Sequence, residues 1–144
     1  MTCTCRSMAE LTLCECASPV LEIVIPGEPV GKERPRFSRT RTRRGVRTYT
    51  APRTAAWEAR AALLARRAVR EAGWQPDPTA TYGAEVRAFR QHRHQGADLD
   101  NLVKAALDAL NGLAWTDDAR VREIRATVVQ DLRPRVVVRV WRIA

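Results

Sequence analysis

The chain has 144 residues, 45% of them hydrophobic, and a formal net charge of +9. That length suits one domain with a modest core, and the apolar content excludes wholesale disorder. No apolar run approaches the roughly 20 residues that cross a bilayer, and no basic and then apolar leader marks secretion, so a cytoplasmic protein without membrane contact is expected.

In chain order, residues 1–18 are polar and aperiodic and read as a leader, with residues 19–144 forming the folded domain. The leader holds all four cysteines, Cys3, Cys5, Cys14 and Cys16. Two Cys-x-Cys pairs can ligate a thiophilic metal, but the spacing is not that of the usual zinc knuckle, and free thiols in a poorly ordered leader are the simpler expectation. Residues 20–25 read as a strand ended by Pro26-Gly27. The stretch 27–53 is rich in arginine. From Lys32 onward, Lys32, Arg34, Arg36, Arg39, Arg41, Arg43, Arg44, Arg47 and Arg53 are opposed only by Glu33, so residues 32–53 carry eight of the nine net positive charges. Arginine in such numbers suits bidentate contact with phosphate, and the partner it implies is nucleic acid or another polyanion. Gly31, Pro35, Gly45 and Pro52 argue against a continuous element here, although Phe37, with Val46 and Tyr49, can mark a short hairpin.

A helix is predicted over residues 55–72, with Thr54 as its N-cap and Gly73 as its stop. Trp57, Ala61, Leu64 and Ala68 give it an apolar stripe at helical spacing. Residues 75–78 form a loop. Residues 84–89 alternate as a strand with Ala84, Val86 and Ala88 on one face. After a polar turn from His92 to Ala97, a second helix runs over 101–110 and ends at Asn111-Gly112. Strands follow at 121–129 and 136–143, separated by Pro134. The class is mixed α/β (α+β): one domain with a mixed sheet packed against two main helices. Trp57, Trp74, Trp115 and Trp141 are expected in the core or at a dimer interface.

The informative segment is Asp98-Leu99-Asp100-Asn101-Leu102-Val103-Lys104, continuing to Asp108 and Leu110. At about 100° per residue, Asp100, Asn101, Lys104 and Asp108 share one face of the second helix, and Leu102, Val103, Ala106, Leu107 and Leu110 fill the other. Asp98 and Asp100, two residues apart at the helix start, point the same way in extended geometry. Two carboxylates held together repel unless a cation lies between them, and a hard divalent ion such as Mg²⁺ suits them. Asp117-Asp118 can return further carboxylates to the same place. Taken singly, these residues also fit simpler roles: Asp98 or Asp100 as an N-cap, Lys104 with Asp100 or Asp108 as a solvated i,i+4 pair, Asp117-Asp118 as turn residues. An acid cluster beside a basic stretch on one small domain is what phosphodiester chemistry on DNA requires. His92 and His94, one residue apart, can bind metal or phosphate, or neither.

The run Asp98-Leu99-Asp100-Asn101-Leu102-x-Lys104-x-x-x-Asp108-Ala109-Leu110-Asn111-Gly112, followed by Trp115-x-Asp117-Asp118, closely resembles the RusA family of Holliday junction resolvases. The opening Pro26-Gly27-x-Pro29-Val30-x-Lys32-x-Arg34-Pro35-Arg36 is similar to the N-terminal pattern of phage and prophage members. The resemblance covers about residues 20–143 and leaves the cysteines outside. It implies a homodimer that binds four-way junctions and nicks two opposing strands, using Mg²⁺ or Mn²⁺ and no small-molecule cofactor. It also implies Asp98, Asp100 and Asp118 as catalytic, metal-binding aspartates, with Asp117 as a further candidate ligand, and Lys104 as a catalytic lysine. Lys32, Arg34, Arg36, Arg39, Arg41, Arg43, Arg44 and Arg47 are the expected DNA contacts. The rival expectations are a non-catalytic basic DNA-binding module, and a metal-dependent nuclease of flaps, forks or other branched DNA.

Overall fold

The computed structural model describes residues 19–33, 36–38, 47–49, 51–92, 94 and 96–143, with 36–38 and 47–49 described by backbone alone. The expected leader, with its four cysteines, lies outside these residues. In chain order the elements are β1 (Val20–Pro26), β2 (Arg36–Ser38), β3 (Arg47–Tyr49), α1 (Pro52–Glu71), β4 (Thr81–Arg90), α2 (Leu99–Leu110), a 3₁₀ turn (Asp118–Arg120), β5 (Val121–Gln130) and β6 (Arg135–Ile143). Strands β2 and β3 pair antiparallel, as the hairpin reading of Phe37 and Tyr49 anticipated. The main sheet has the order β1-β6-β4-β5. Its β1–β6 and β6–β4 pairs are antiparallel, whereas β4 and β5 are parallel and joined through α2.

Register explains the core. Leu21, Val140 and Ala84 lie in one cross-strand row, Ile23, Val138 and Val86 in the next, and Ile25, Val136 and Ala88 in the third. All nine are buried. All but Ala88 pack with Trp57, Ala61 and Ala65 of α1 and with Ala105, Ala106, Ala109 and Leu110 of α2. Alanine at these positions lets the helices lie close to the sheet, and the larger Tyr82, Trp74 and Trp115 fill the end of the layer. The Tyr82 ring lies 6.2 Å from that of Trp74 and 6.4 Å from that of Trp115, in tilted arrangements. The expectation of buried tryptophans holds for Trp57, Trp74 and Trp115.

The opposite face of the sheet is polar but also tightly arranged. Glu22, Arg139, Glu85 and Arg125 form a row of alternating charge across all four strands, and Arg139 Nε donates to Glu22 Oε2 at 2.7 Å. Gly83 lies opposite Trp141 in β6. A Cβ on Gly83 would stand 2.3 Å from the Trp141 ring, so only glycine admits the indole at that point. Phe89, also on this face, is buried beneath the guanidiniums of Arg135 and Arg87, 3.7 and 5.1 Å from its ring centre.

One expectation is corrected. Thr54 is not the N-cap of α1: the helix begins at Pro52, with Ala51 as its N-cap. Proline at the first helical position needs no N–H and has the right φ, which extends the helix backwards. Thr54 is instead fully buried, and its hydroxyl donates to the Gly31 carbonyl at 3.1 Å. Gly73 does end α1, at φ +60°. Among the described residues no helix is long and apolar enough to cross a membrane.

Candidate active site

Helix α2 has the two faces its sequence predicts. Leu102, Ala105, Ala106, Ala109 and Leu110 are buried, and Asp100, Lys104 and Asp108 are exposed. Asp98 occupies the N-cap position with an extended backbone, yet its side chain makes no capping hydrogen bond. The bland reading of Asp98 as a bonded cap is therefore not what the fold contains. Asp98 and Asp100 are both exposed at the start of the helix. Nor does Lys104 form the expected i,i+4 pair: among the described residues it makes no salt bridge, and Asp108 is taken by a different cation.

That cation is Lys32. Its Nζ lies 2.6 Å from Asp108 Oδ2 and 2.9 Å from Glu58 Oε1 of α1. Burial lowers the proton affinity of this ammonium, but the hydrogen bonds to Asp108 and Glu58 outweigh that loss and hold its pKa above the ordinary lysine value. The backbone there is equally confined. The Lys32 N–H donates to the Asn101 carbonyl at 2.9 Å. A Cβ on Gly31 would stand 2.3 Å from Ala97 Cβ, which explains glycine at that crossing. Lys32, read from sequence as a phosphate contact, thus joins α1 to α2. The side chains of Arg34, Arg36, Arg39, Arg41, Arg43, Arg44 and Arg47 lie outside the described residues.

The two neighbouring aspartates after Trp115 have different roles. Asp117 caps the 3₁₀ turn, its Oδ1 accepting from the Ala119 N–H at 2.8 Å. That bond, together with one shared with Asp118, holds its carboxyl below the usual range. The Asp118 carboxyl is pushed up, first by the hydrogen bond it shares with Asp117, then by partial desolvation and by the charge of Asp117; the charge of Asp108 adds a smaller push.

These carboxylates do not form a finished coordination set. Among the described residues, no three Asp, Glu, His or Cys side chains stand close enough to hold a metal ion. Asp98 and Asp108 are separated by ten residues, about 15 Å of helical rise. The chemistry of the donors nevertheless fits a hard divalent cation. All are carboxylate oxygens, and Asp98 and Asp100 have no hydrogen-bond partner among the described residues.

Sequence reasoning did not single out a basic pocket beside this face. A cavity of about 250 Å³ is lined by Glu28, Pro29, Arg53, Arg90, His92 and Gly96. Arg90 Nη1 donates to the Ala97 carbonyl at 2.9 Å, next to Asp98. The arginine before the polar turn was the available signal, but nothing in the sequence linked it to Arg53. His92 lines this pocket and His94 is exposed.

The domain is small, basic and α+β, with an acidic, lysine-bearing helix face left out of its core. The family model for Endodeoxyribonuclease RusA matches residues 26–141. No curated protein matches the chain. The chain belongs to the RusA family of endodeoxyribonucleases, whose members resolve Holliday junctions and act on branched DNA.

Proposed function

We propose that this protein is a Mg²⁺-dependent endonuclease, with Mn²⁺ able to substitute, that resolves four-way DNA junctions by paired nicks during recombination and repair. The observation that carries this reading is the set of uncommitted side chains on α2, namely Asp98, Asp100 and Lys104, inside a chain of the RusA family. Asp98, Asp100 and Asp118 would hold the ion, with Asp117 orienting the turn that presents Asp118 and available as a further ligand. The ion supplies Lewis acidity to the phosphodiester and lowers the pKa of a bound water.

The chain's own residues supply the rest. Lys104, unpaired among the described residues, is free to meet the negative charge that builds on the phosphate oxygens as water adds to phosphorus and the bond to the 3′ oxygen breaks. Arg34, Arg36, Arg39, Arg41, Arg43, Arg44 and Arg47 contact the backbone, and Arg53 lines a basic pocket close to the start of α2. Such contacts release counterions, so affinity falls steeply with salt. One acid cluster per chain and two symmetric cuts call for a homodimer. A chromosomal or prophage DNA substrate places this work in the cytoplasm.

The test is a cleavage panel of linear duplex, flap, fork and four-way junction, with Mg²⁺, with Mn²⁺ and with chelator. The reading predicts paired nicks in the junction, dependent on metal, and little cutting of linear DNA. Equal cutting of linear duplex removes the resolvase assignment and keeps the nuclease. Junction binding without nicking in either metal leaves only a DNA-binding module.

A further inference from the structure

Lys32 is bound to α2 at two heights. Its backbone N–H meets the Asn101 carbonyl in the first turn, and its ammonium meets Asp108 two turns further on. The Gly31 carbonyl just before it accepts from the buried Thr54 of α1. The side chain therefore lies along the helix and ends between Asp108 and Glu58. Asp108 is four residues from Lys104 on the same exposed face, the spacing at which a lysine and an aspartate pair on a helix surface. They do not pair here, and the carboxylate instead holds the ammonium of Lys32 at 2.6 Å.

We propose that Lys32 is a positioning residue that acts through Asp108: by occupying that carboxylate it keeps Lys104 unpaired and available to the scissile phosphate, and it fixes the root of the arginine-rich segment to α2. This rests on the nuclease reading above. It also removes Lys32 from the residues that touch DNA. Losing the ammonium would expose Asp108 to Lys104, and the new pair would draw the lysine down the helix, away from the aspartates at its start.

The test compares Lys32→Met, Asp108→Asn and the double variant on a four-way junction in Mg²⁺, at saturating enzyme and again as a binding titration across salt. Lys32→Met is expected to slow cleavage by roughly two- to five-fold, the low end being what one surface pair is worth. Junction affinity and its salt slope should be unchanged. The double variant should recover most of the lost rate, because an uncharged residue 108 no longer captures Lys104; a purely structural role would not give that recovery. In a crystal structure of Lys32→Met, Lys104 Nζ should lie within salt-bridge distance of Asp108.

Weaker binding with a salt slope lower by about 0.9 would make Lys32 a phosphate contact and overturn the proposal. So would a double variant no faster than Lys32→Met, or an unchanged rate in Lys32→Met. If Lys32→Met does not fold, Lys32→Gln, which removes the charge that holds Asp108 but keeps a polar chain end, carries the same test: a slower saturated rate at unchanged affinity supports it, and an unchanged rate overturns it. Failure of the parent reading would be distinct, since the wild-type protein itself would then leave the junction uncut while the binding titration still reported on Lys32.

Discussion

The aspartates in the loops and those at the start of α2 are used in opposite ways. Asp77, Asp117 and Asp131 each accept a backbone N–H from two residues ahead, all at 2.8 Å. These are turn-forming bonds, and in each case the carboxyl is held below its usual range, chiefly by hydrogen bonding. Asp98 and Asp100 lie at a helix start, where a carboxylate most readily finds a backbone partner, and have none among the described residues. The fold uses the first set and leaves the second set idle. An acid whose side chain makes no bond among the described residues, on a face shared with a lysine that is likewise unpaired among them, is what the proposed ligand role calls for.

The contrast breaks most visibly if Asp100→Asn is silent. We expect that variant to lose junction cleavage by about 100-fold or more, because it removes a ligand of the proposed ion. Its melting temperature should match the wild type, since its side chain makes no bond among the described residues. Lys104→Met should follow with a smaller loss of about ten-fold or more at saturating substrate and little change in junction affinity. On the other side of the comparison, Asp77→Ala should lower the melting temperature by a few degrees and leave cleavage alone, because it removes the bonds to the Thr79 N–H and hydroxyl.

The smallest effect is acid sensitivity. A carboxyl depressed in the fold stabilises the native state above its unfolded value, ordinarily 3.8 for these aspartates, and loses that contribution as pH falls through its lower folded value. Asp77→Asn/Asp131→Asn should therefore shallow the loss of stability below that value, as followed by thermal melts at a series of acid pH values.

Much of this was legible in the sequence because it depends on local pattern. The strand from Val20, the helix to Leu110 and the last strand are where alternation and helical spacing put them, and the split of α2 into a packed and an exposed face follows from which residues recur every three or four positions. Thr54 was misread because a Ser/Thr cap preference competes with proline at the first helical position, and proline prevailed. Gly83 and Phe89 belong to a face that alternation calls solvent-facing; Trp141 and Arg135 cover them from another strand. Lys32 was the least readable residue. Its partners lie 26 and 76 positions away, and nothing in a run of basic residues distinguishes the one that turns inward.

The central claim is that carboxylates from two separated stretches share one divalent ion, and the most direct test is a Mn²⁺ titration by calorimetry of wild type, Asp98→Asn and Asp118→Asn. The account predicts a binding event in the wild type that is weakened at least about ten-fold in both variants. Wild-type affinity in both variants, or loss in one with the other unchanged, would contradict it.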